Sequence, residues 1–237
     1  MKISLCIPMY NESSIIAETA ATLSAYMGQH FEDYEILFSD DGSTDGSADI
    51  VKALELPHVR VVGYPDNRGK GSAVRHAILA TEGDVVIFTD SDLAYGTDVI
   101  ARAAERMQAE PALDVLVGSR NISKDGYEGY TFTRKLASKA YIKVLGIVGG
   151  LRLSDSQCGF KAFRGEAARR IFSYCEVNGF AFDFEAIMIA TRMKLNMGEL
   201  AVKIINHRES KVRVISDAFR MMKDLRKMKK RVKGLEI

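Results

Sequence analysis

The sequence predicts a single α/β domain built on a mostly parallel sheet with helices on both faces. Three observations carry that expectation. Short β-rich runs alternate along the chain with helical patterns. Most of those runs are apolar throughout, which suits strands covered on both faces. The composition, 237 residues with 47% apolar, 27% charged, four Pro and 19 Gly, is that of one globular domain of moderate size.

Taken in order, the expected strands are Ile3–Ile7, Glu35–Ser39, Val59–Gly63, Val85–Thr89, Val115–Val117 and Val202–Ile205. Helices are expected over Ser14–Met27, Asp45–Ala53, Ser72–Ala80 and Asp98–Gln108, the last with Thr97 placed as its N-cap. Repeats and low-complexity tracts are not seen, which sets aside solenoids and disordered linkers.

Charge divides the chain. The segment 211–237 holds ten Lys and Arg against three acids, whereas residues 1–210 hold 23 basic and 28 acidic side chains, a net of +7 behind a net of −5. Within 211–237, Ile215, Phe219, Met222, Leu225, Met228, Val232 and Leu235 recur every three or four positions, the pattern of a basic amphipathic helix. Such a helix either docks on the 1–210 domain with its lysines in water or lies in an anionic headgroup layer. The longest apolar stretch, Val144–Leu151, is far shorter than the roughly 20 residues that span a bilayer. Met1-Lys2 leads into a short apolar run without a small-residue cleavage site, so the expected compartment is cytoplasmic. Cys6, Cys158 and Cys175 are scattered without metal-ligand spacing, and neither structural disulfides nor a zinc knuckle is expected.

Three polar clusters follow expected strands. They are Pro8-Met9-Tyr10-Asn11-Glu12, Asp40-Asp41-Gly42-Ser43-Thr44-Asp45-Gly46 and Asp90-Ser91-Asp92. Carboxyl ends of strands are where open α/β sheets bind ligands, so the clusters point to one site. Asp90 and Asp92 suit a hard divalent cation that also grips a diphosphate. A pair at that spacing is expected by chance among 16 Asp, so its position carries the argument. The Asp40-Asp41 pair suits the imide or amino edge of a nucleobase, or simply a helix-capping turn. Asn67-Arg68-Gly69-Lys70-Gly71-Ser72 resembles a phosphate-binding turn but lacks the full P-loop spacing, and no Gly-x-Gly-x-x-Gly follows the first strand. Kinase chemistry and NAD binding lose ground accordingly.

In series, Ile7-Pro8-Met9-Tyr10-Asn11-Glu12, the Asp40–Gly46 run, Asn67-Arg68-Gly69-Lys70-Gly71 and Asp90-Ser91-Asp92 resemble the inverting family 2 glycosyltransferases of GT-A fold. Gly118-Ser119-Arg120, Thr133–Lys139, Asp155-Ser156-Gln157-Cys158-Gly159-Phe160-Lys161 and Arg208-Glu209-Ser210-Lys211 are similar to the branch that makes polyprenyl-phosphate sugars, the dolichyl-phosphate mannose and glucose synthases. The resemblance implies that Pro8, Tyr10, Asn11 and Glu12 line the nucleotide pocket, with Asp40 and Asp41 at the base. It further implies that Lys70 and Ser91 lie by the diphosphate, and that Asp90 and Asp92 hold Mg²⁺ or Mn²⁺. Arg120, Arg134 and Ser138 match positions that receive the acceptor phosphate, and Arg208 and Lys211 a basic pair closing over the phosphates. Ala94 stands where some mannose synthases have Gln, which leaves the metal more loosely held or completed by water. Phe182-Asp183-Phe184-Glu185 and the Gln157–Lys161 run look closer to the glucose synthases, which use UDP-glucose, than to the mannose synthases, which use GDP-mannose.

A phosphate monoester is already largely dianionic at neutral pH, so as an acceptor it needs positive charge and no general base. The expected reaction is in-line attack at the anomeric carbon with inversion, Arg120 and Arg134 holding the acceptor phosphate. Asp155, Gln157, Asp183 and Glu185 are expected to position the sugar, or else to serve as caps and core hydrogen-bonding groups. Tyr141–Leu153 suits either a core helix or an amphipathic element beside the acceptor. With the basic tail, this describes a peripheral enzyme drawing a polyprenyl phosphate from the cytoplasmic face of an anionic membrane. Nucleic acid is not an expected partner, because the 1–210 domain is acidic and no base-reading motif is present. Two alternatives are an enzyme of the same fold acting on a hydroxyl of a soluble glycan or protein, for which Asp155, Asp183 or Glu185 would be the base, and a non-catalytic nucleotide-sugar binder.

Overall fold

Every residue of the first strand, β1 (Ile3–Met9), is buried. Its apolar side chains alternate between two helix layers, as the two-sided apolar run requires. The computed structural model describes residues 1–123, 125–126, 153–206, 225 and 227–237. After β1 come α1 (Ile16–His30), β2 (Tyr34–Asp41), α2 (Ser47–Ala53), β3 (Val59–Tyr64), α3 (Lys70–Leu79), β4 (Val85–Phe88), α4 (Asp98–Ala109) and β5 (Val115–Ser119). Beyond residue 153 lie β6 (Lys161–Arg164), α5 (Gly165–Ser173), α6 (Phe182–Arg192) and β7 (Met197–Ala201), with residues 227–233 helical at the end.

Among the described residues the strands form one seven-stranded sheet in the order β3-β2-β1-β4-β6-β5-β7. The β1–β2, β1–β4, β2–β3 and β5–β7 pairs are parallel, and β6 runs antiparallel to both β4 and β5. One face carries α1, α2 and α4, through Ile16, Leu23, Val51, Val99 and Ile100. The other carries α3, α5, α6 and the terminal helix, through Val74, Ile78, Phe172, Ile187, Leu225, Met228 and Val232. The single mostly parallel α/β domain is therefore as expected, with one inverted strand added.

Two details differ from the sequence reading. The last strand is Met197–Ala201 rather than Val202–Ile205. Residues 202–205 instead cross the strand tips, Val202 N–H donating to the Ser119 carbonyl at 3.1 Å and Ile205 N–H to the Ala94 carbonyl at 2.8 Å. Their apolar character serves the core beneath, where Val202 and Ile204 are buried. Thr97 does precede α4, but it makes no side-chain capping bond.

For the terminal segment, the docked arrangement holds where it is described. Leu225, Met228 and Val232 are buried, while Lys227, Lys230 and Lys233 are exposed. Ile215, Phe219 and Met222 lie outside the described residues, as do residues 141–152 of the second apolar element. No helix among the described residues is long and apolar enough to cross a membrane.

At the opposite edge of the sheet from the polar clusters, Glu35 is buried and accepts from the Ser4 hydroxyl at 2.6 Å, the Glu82 N–H at 2.8 Å and the Arg60 guanidinium at 3.0 Å. Burial pushes its pKa up, but these donors outweigh burial and hold it below the ordinary carboxylate value. A carboxylate depressed in the folded state stabilises the fold above its unfolded pKa and loses that contribution as pH falls through the folded one. Glu35→Gln is therefore expected to lower stability at neutral pH by about 1–3 kcal/mol, and to flatten the loss below pH about 4.5. Urea unfolding of both proteins from pH 3 to 7 measures this, with activity at neutral pH unchanged.

Candidate active site

The three polar clusters share one edge because β1, β2 and β4 are parallel neighbours. The loop after β1 is laced to the loop after β2. Asn11 N–H donates to the Ser43 hydroxyl at 2.9 Å, and Thr44 N–H returns a bond to Asn11 Oδ1 at 2.9 Å. Glu12 N–H meets the Ser47 hydroxyl and Ser13 N–H meets Asp45, both at 2.9 Å. Asn11 itself has φ of +51°, a left-handed conformation that Asn tolerates better than most residues. Pro8 sits in buried strand, while Tyr10 is exposed beside it. The third cluster is tied in through α1, where the Thr19 hydroxyl donates to the Ser91 carbonyl at 2.7 Å.

Inversion of β6 brings a fourth group to the same edge, because its start, not its end, lies there. Lys161 pairs in register with Phe88 on β4 and Val117 on β5. Of the residues just before it, Gly159 presses against Asp90. A β-carbon on Gly159 would fall within van der Waals contact of Asp90 Oδ2, so this approach requires glycine. The Gly159 N–H donates to the buried Tyr95 hydroxyl at 3.2 Å.

Asp90 pairs with the Lys70 ammonium, and Asp92 accepts from Ala94 N–H at 3.1 Å. Burial, then the adjacent Asp90 charge, pushes the Asp92 carboxyl above its ordinary value, with Glu12 adding to the rise. Lys70 is held above its ordinary value by Asp90, Asp183 and Asp92, against the effect of burial. Asp183, at the first turn of α6, bonds the fully buried Lys161 ammonium at 2.6 Å, and Lys161 also donates to the Cys158 carbonyl at 2.7 Å. Carboxylates Asp90, Asp92 and Asp183 thus share an edge with ammonium groups Lys70 and Lys161. Lys161 stood in the sequence only as the last residue of the Asp155–Lys161 motif, with no role assigned to it.

Several expected site residues have other occupations. Asp41 is buried and accepts from the Tyr64 hydroxyl at 2.7 Å, Asn67 Nδ2 at 2.9 Å, Arg68 N–H at 2.9 Å and Gly69 N–H at 2.8 Å. Those donors fill the acceptor positions of a carboxylate, so Asp41 braces the 64–69 turn. Asp40, half-buried, accepts from Ser43 N–H at 3.2 Å. The same bonds revise the phosphate-binding turn. Its Arg68 and Gly69 N–H groups go to Asp41, and its Gly71 N–H goes to the Asn178 carbonyl at 2.7 Å, so these amides do not form an anion cradle.

Glu185 is fully buried and accepts from Glu176 N–H at 2.9 Å, Val177 N–H at 2.8 Å and the Arg231 guanidinium. It faces the terminal helix, and a sugar-positioning role is not supported, because two helical positions past Asp183 point away from the strand tips. Asp155 is fully buried and forms a two-pronged pair with Arg120, at 2.6 Å to Nε and 2.9 Å to Nη2. It therefore orients Arg120 and does not stand as a group for the sugar. Gln157 Nε2 is buried and has no hydrogen-bond partner among the described residues. Arg134, Ser138, Arg208 and Lys211 lie outside the described residues.

Gly159→Ala is expected to displace Asp90 and to remove at least about 2.7 kcal/mol of transition-state stabilisation, a hundredfold in rate. The melting temperature should change little. Turnover assays and calorimetry on the same sample separate the two, and a variant with full turnover would refute the close approach of Gly159 to the acid pair.

The model of the family described as Glycosyl transferase family 2 matches residues 4–172. A dolichyl-phosphate beta-glucosyltransferase of Trichomonas vaginalis is 32% identical over 231 residues, covering 92% of this chain and 68% of that protein. Among solved structures, mannosyl-3-phosphoglycerate synthase from Rubrobacter xylanophilus superposes with a TM-score of 0.72 at 19% identity, over 100% of this chain and 76% of that one. Glucosyl-3-phosphoglycerate synthase from Mycobacterium tuberculosis, in complex with Mn²⁺, uridine diphosphate and glucosyl-3-phosphoglycerate, gives 0.70 at 18%, over 100% and 81%. The structural likeness shows the fold, which is the GT-A fold expected from the motifs.

Proposed function

Since the chain belongs to glycosyltransferase family 2 and is a hexosyltransferase, we propose that it moves glucose from UDP-glucose to a polyprenyl phosphate of the dolichyl type at a membrane surface. The observation that carries this reading is the shared edge: the Asp90–Asp92 pair and the Asp155-held Arg120 fork arrive on strands of one sheet, at the same ends. Similarity over 92% of this chain and 68% of a dolichyl-phosphate beta-glucosyltransferase supports the sugar and the acceptor.

The donor set fits a divalent metal. Asp90 and Asp92 are hard oxygen ligands, and the Asp92 carboxyl is raised by burial and then by the Asp90 charge, both of which a bound cation would offset. Mg²⁺ or Mn²⁺ on that pair would supply positive charge for the nucleoside diphosphate as it leaves. Lys70 would add an ammonium on the same side, while Tyr10, Asn11, Glu12 and Asp40 would line the nucleotide pocket.

The fate of the other carboxylates supports a phosphate acceptor over a hydroxyl. Hydroxyl transfer needs a base, and the three that sequence reasoning offered are all engaged: Asp155 with Arg120, Asp183 with Lys161, Glu185 with Arg231. A phosphate dianion arrives as its own nucleophile. Arg120, its guanidinium plane fixed by Asp155, would hold it together with Arg134 and Ser138, with Arg208 and Lys211 closing over the phosphates.

Incubating the purified protein with UDP-glucose or GDP-mannose, Mn²⁺ and a polyprenyl phosphate, and then weighing the lipid product, tests the assignment. A glucosyl-phosphate lipid is expected from UDP-glucose, and no lipid product with either donor would end it. Asp92→Asn should cut turnover by at least about a hundredfold in a protein whose circular dichroism is unchanged.

Where the terminal helix is described its apolar face is docked and Lys227, Lys230 and Lys233 are exposed, so that stretch would meet an anionic membrane through charge. Replacing Lys227, Lys229 and Lys230 with Glu is expected to lower activity on anionic liposomes more than on a short acceptor in detergent. Equal losses in both assays would remove the membrane role of the terminal helix.

A further inference from the structure

Arg231 lies on the terminal helix at the border of its docked face, half-buried next to Met228 and Val232. It donates to the Tyr174 carbonyl at 3.0 Å, pairs with Glu176 at 3.3 Å, and pairs with the buried Glu185. Glu185 in turn accepts both the Glu176 and Val177 amides. Two of these contacts of Arg231 lie in the segment that joins α5 to α6, and the third, Glu185 of α6, holds that segment's amides.

That segment continues directly onto the start of α3. The Asn178 carbonyl receives Gly71 N–H at 2.7 Å, which satisfies one of the amides that a helix N-terminus leaves without intrahelical partners, and Ser72 N–H, bonded to the Gly69 carbonyl at 2.9 Å, also approaches it at 3.3 Å. A β-carbon on Gly69 would come within 2.6 Å of the Asn178 carbonyl, and one on Gly71 within 2.6 Å of Phe182 Cβ. Residues on either side of Lys70 are therefore in close contact with the 177–182 stretch. Arg75, one turn along α3, fastens the same segment with bonds to the Cys175 carbonyl at 2.9 Å and to Asn178 Oδ1 at 3.0 Å. Lys70 is the first residue of α3, and its ammonium pairs with Asp90.

We propose that Arg231 is a positioning residue for the nucleoside diphosphate site: through Glu185 and the 176–178 segment it sets where α3 begins, and so where Lys70 stands beside Asp90. The inference rests on the transferase reading above and assigns the terminal helix a part in donor binding. The terminal helix would then report its docking to the site by way of donor affinity.

Calorimetric binding of UDP with Mn²⁺, paired with initial rates over nucleotide-sugar and acceptor concentration, provides the test. Arg231→Gln is expected to weaken UDP binding by about tenfold and to raise the KM for the nucleotide sugar, leaving the acceptor KM unchanged. Arg231→Lys should recover part of the affinity, because it keeps the positive charge but not the fork that joins Tyr174, Glu176 and Glu185. A purely structural role predicts a lower melting temperature with full UDP affinity, and that result would overturn the proposal. Should Arg231→Gln fail to fold, Arg75→Gln, which leaves the terminal helix untouched, is read in the same way: weakened UDP binding sustains the segment as the brace of Lys70, and unchanged binding overturns it. Wild-type protein that binds neither UDP nor GDP would sink the transferase reading itself, whereas binding that Arg231→Gln shares in full sinks only this inference.

Discussion

Negative charge gathered at one edge of the sheet is the constraint on which the rest of the structure turns. Asp90 and Asp92 follow β4, and Asp183 stands in the first turn of α6. Carboxylates brought together out of bulk water repel, so each needs a cation, a set of N–H donors or a proton. The fold answers with Lys70 from α3 and with Lys161 from the start of β6. That second answer is possible only because β6 is inverted. A parallel strand in its place would present its end at this edge, and Lys161 would lie at the far side of the sheet.

Much of this was legible in the sequence. The parallel core reads from unbroken apolar runs such as Ile3–Ile7 and Val85–Phe88, which alternate with helices at the spacing a right-handed crossover needs. The three polar clusters read from their position after those runs. What escaped was polar in composition or apolar for another reason. Lys161-Ala162-Phe163-Arg164 opens and closes on charge, and its strand character comes from pairing between β4 and β5 rather than from its own pattern. Val202–Ile205 has the apolar content of a strand, but that content serves the core beneath a crossing segment, while Met197–Ala201 with Glu199 in its middle takes the edge position. Tertiary context overrides β-propensity in both cases.

At the site, residue type was easier to read than residue role. Asp41, Glu185 and Asp155 are carboxylates in motif-rich runs, and sequence alone does not disclose which donors face them. Four donors occupy Asp41, two backbone amides and a guanidinium occupy Glu185, and a guanidinium fork occupies Asp155. The Asn67–Ser72 turn is the same lesson for the backbone: its glycine-rich composition matches a phosphate cradle, yet its amides are spent within the protein. An anion-binding turn is defined by amides left pointing at a ligand, which is a property of the neighbours and not of the turn.

The buried ion pairs bear on what the architecture is for. Replacing such pairs by apolar residues of similar volume is often neutral or stabilising, so stability alone is a weak reason for Lys161–Asp183, Arg120–Asp155 and Arg231–Glu185 to be present. Their placement supplies a better one. Lys161–Asp183 lies behind Lys70 and Asp90, Arg120–Asp155 fixes a guanidinium plane, and Arg231–Glu185 fastens the segment that caps α3. Each pair fixes the direction of a group at or near the strand tips. Transfer between two anionic partners gains most from charges that are already aimed when the partners arrive, since preorganised dipoles and ions cost no rearrangement at the moment of reaction. Direction, not strength, is what these pairs contribute, and a network built for direction has to be anchored far from the chemistry, as the terminal helix is.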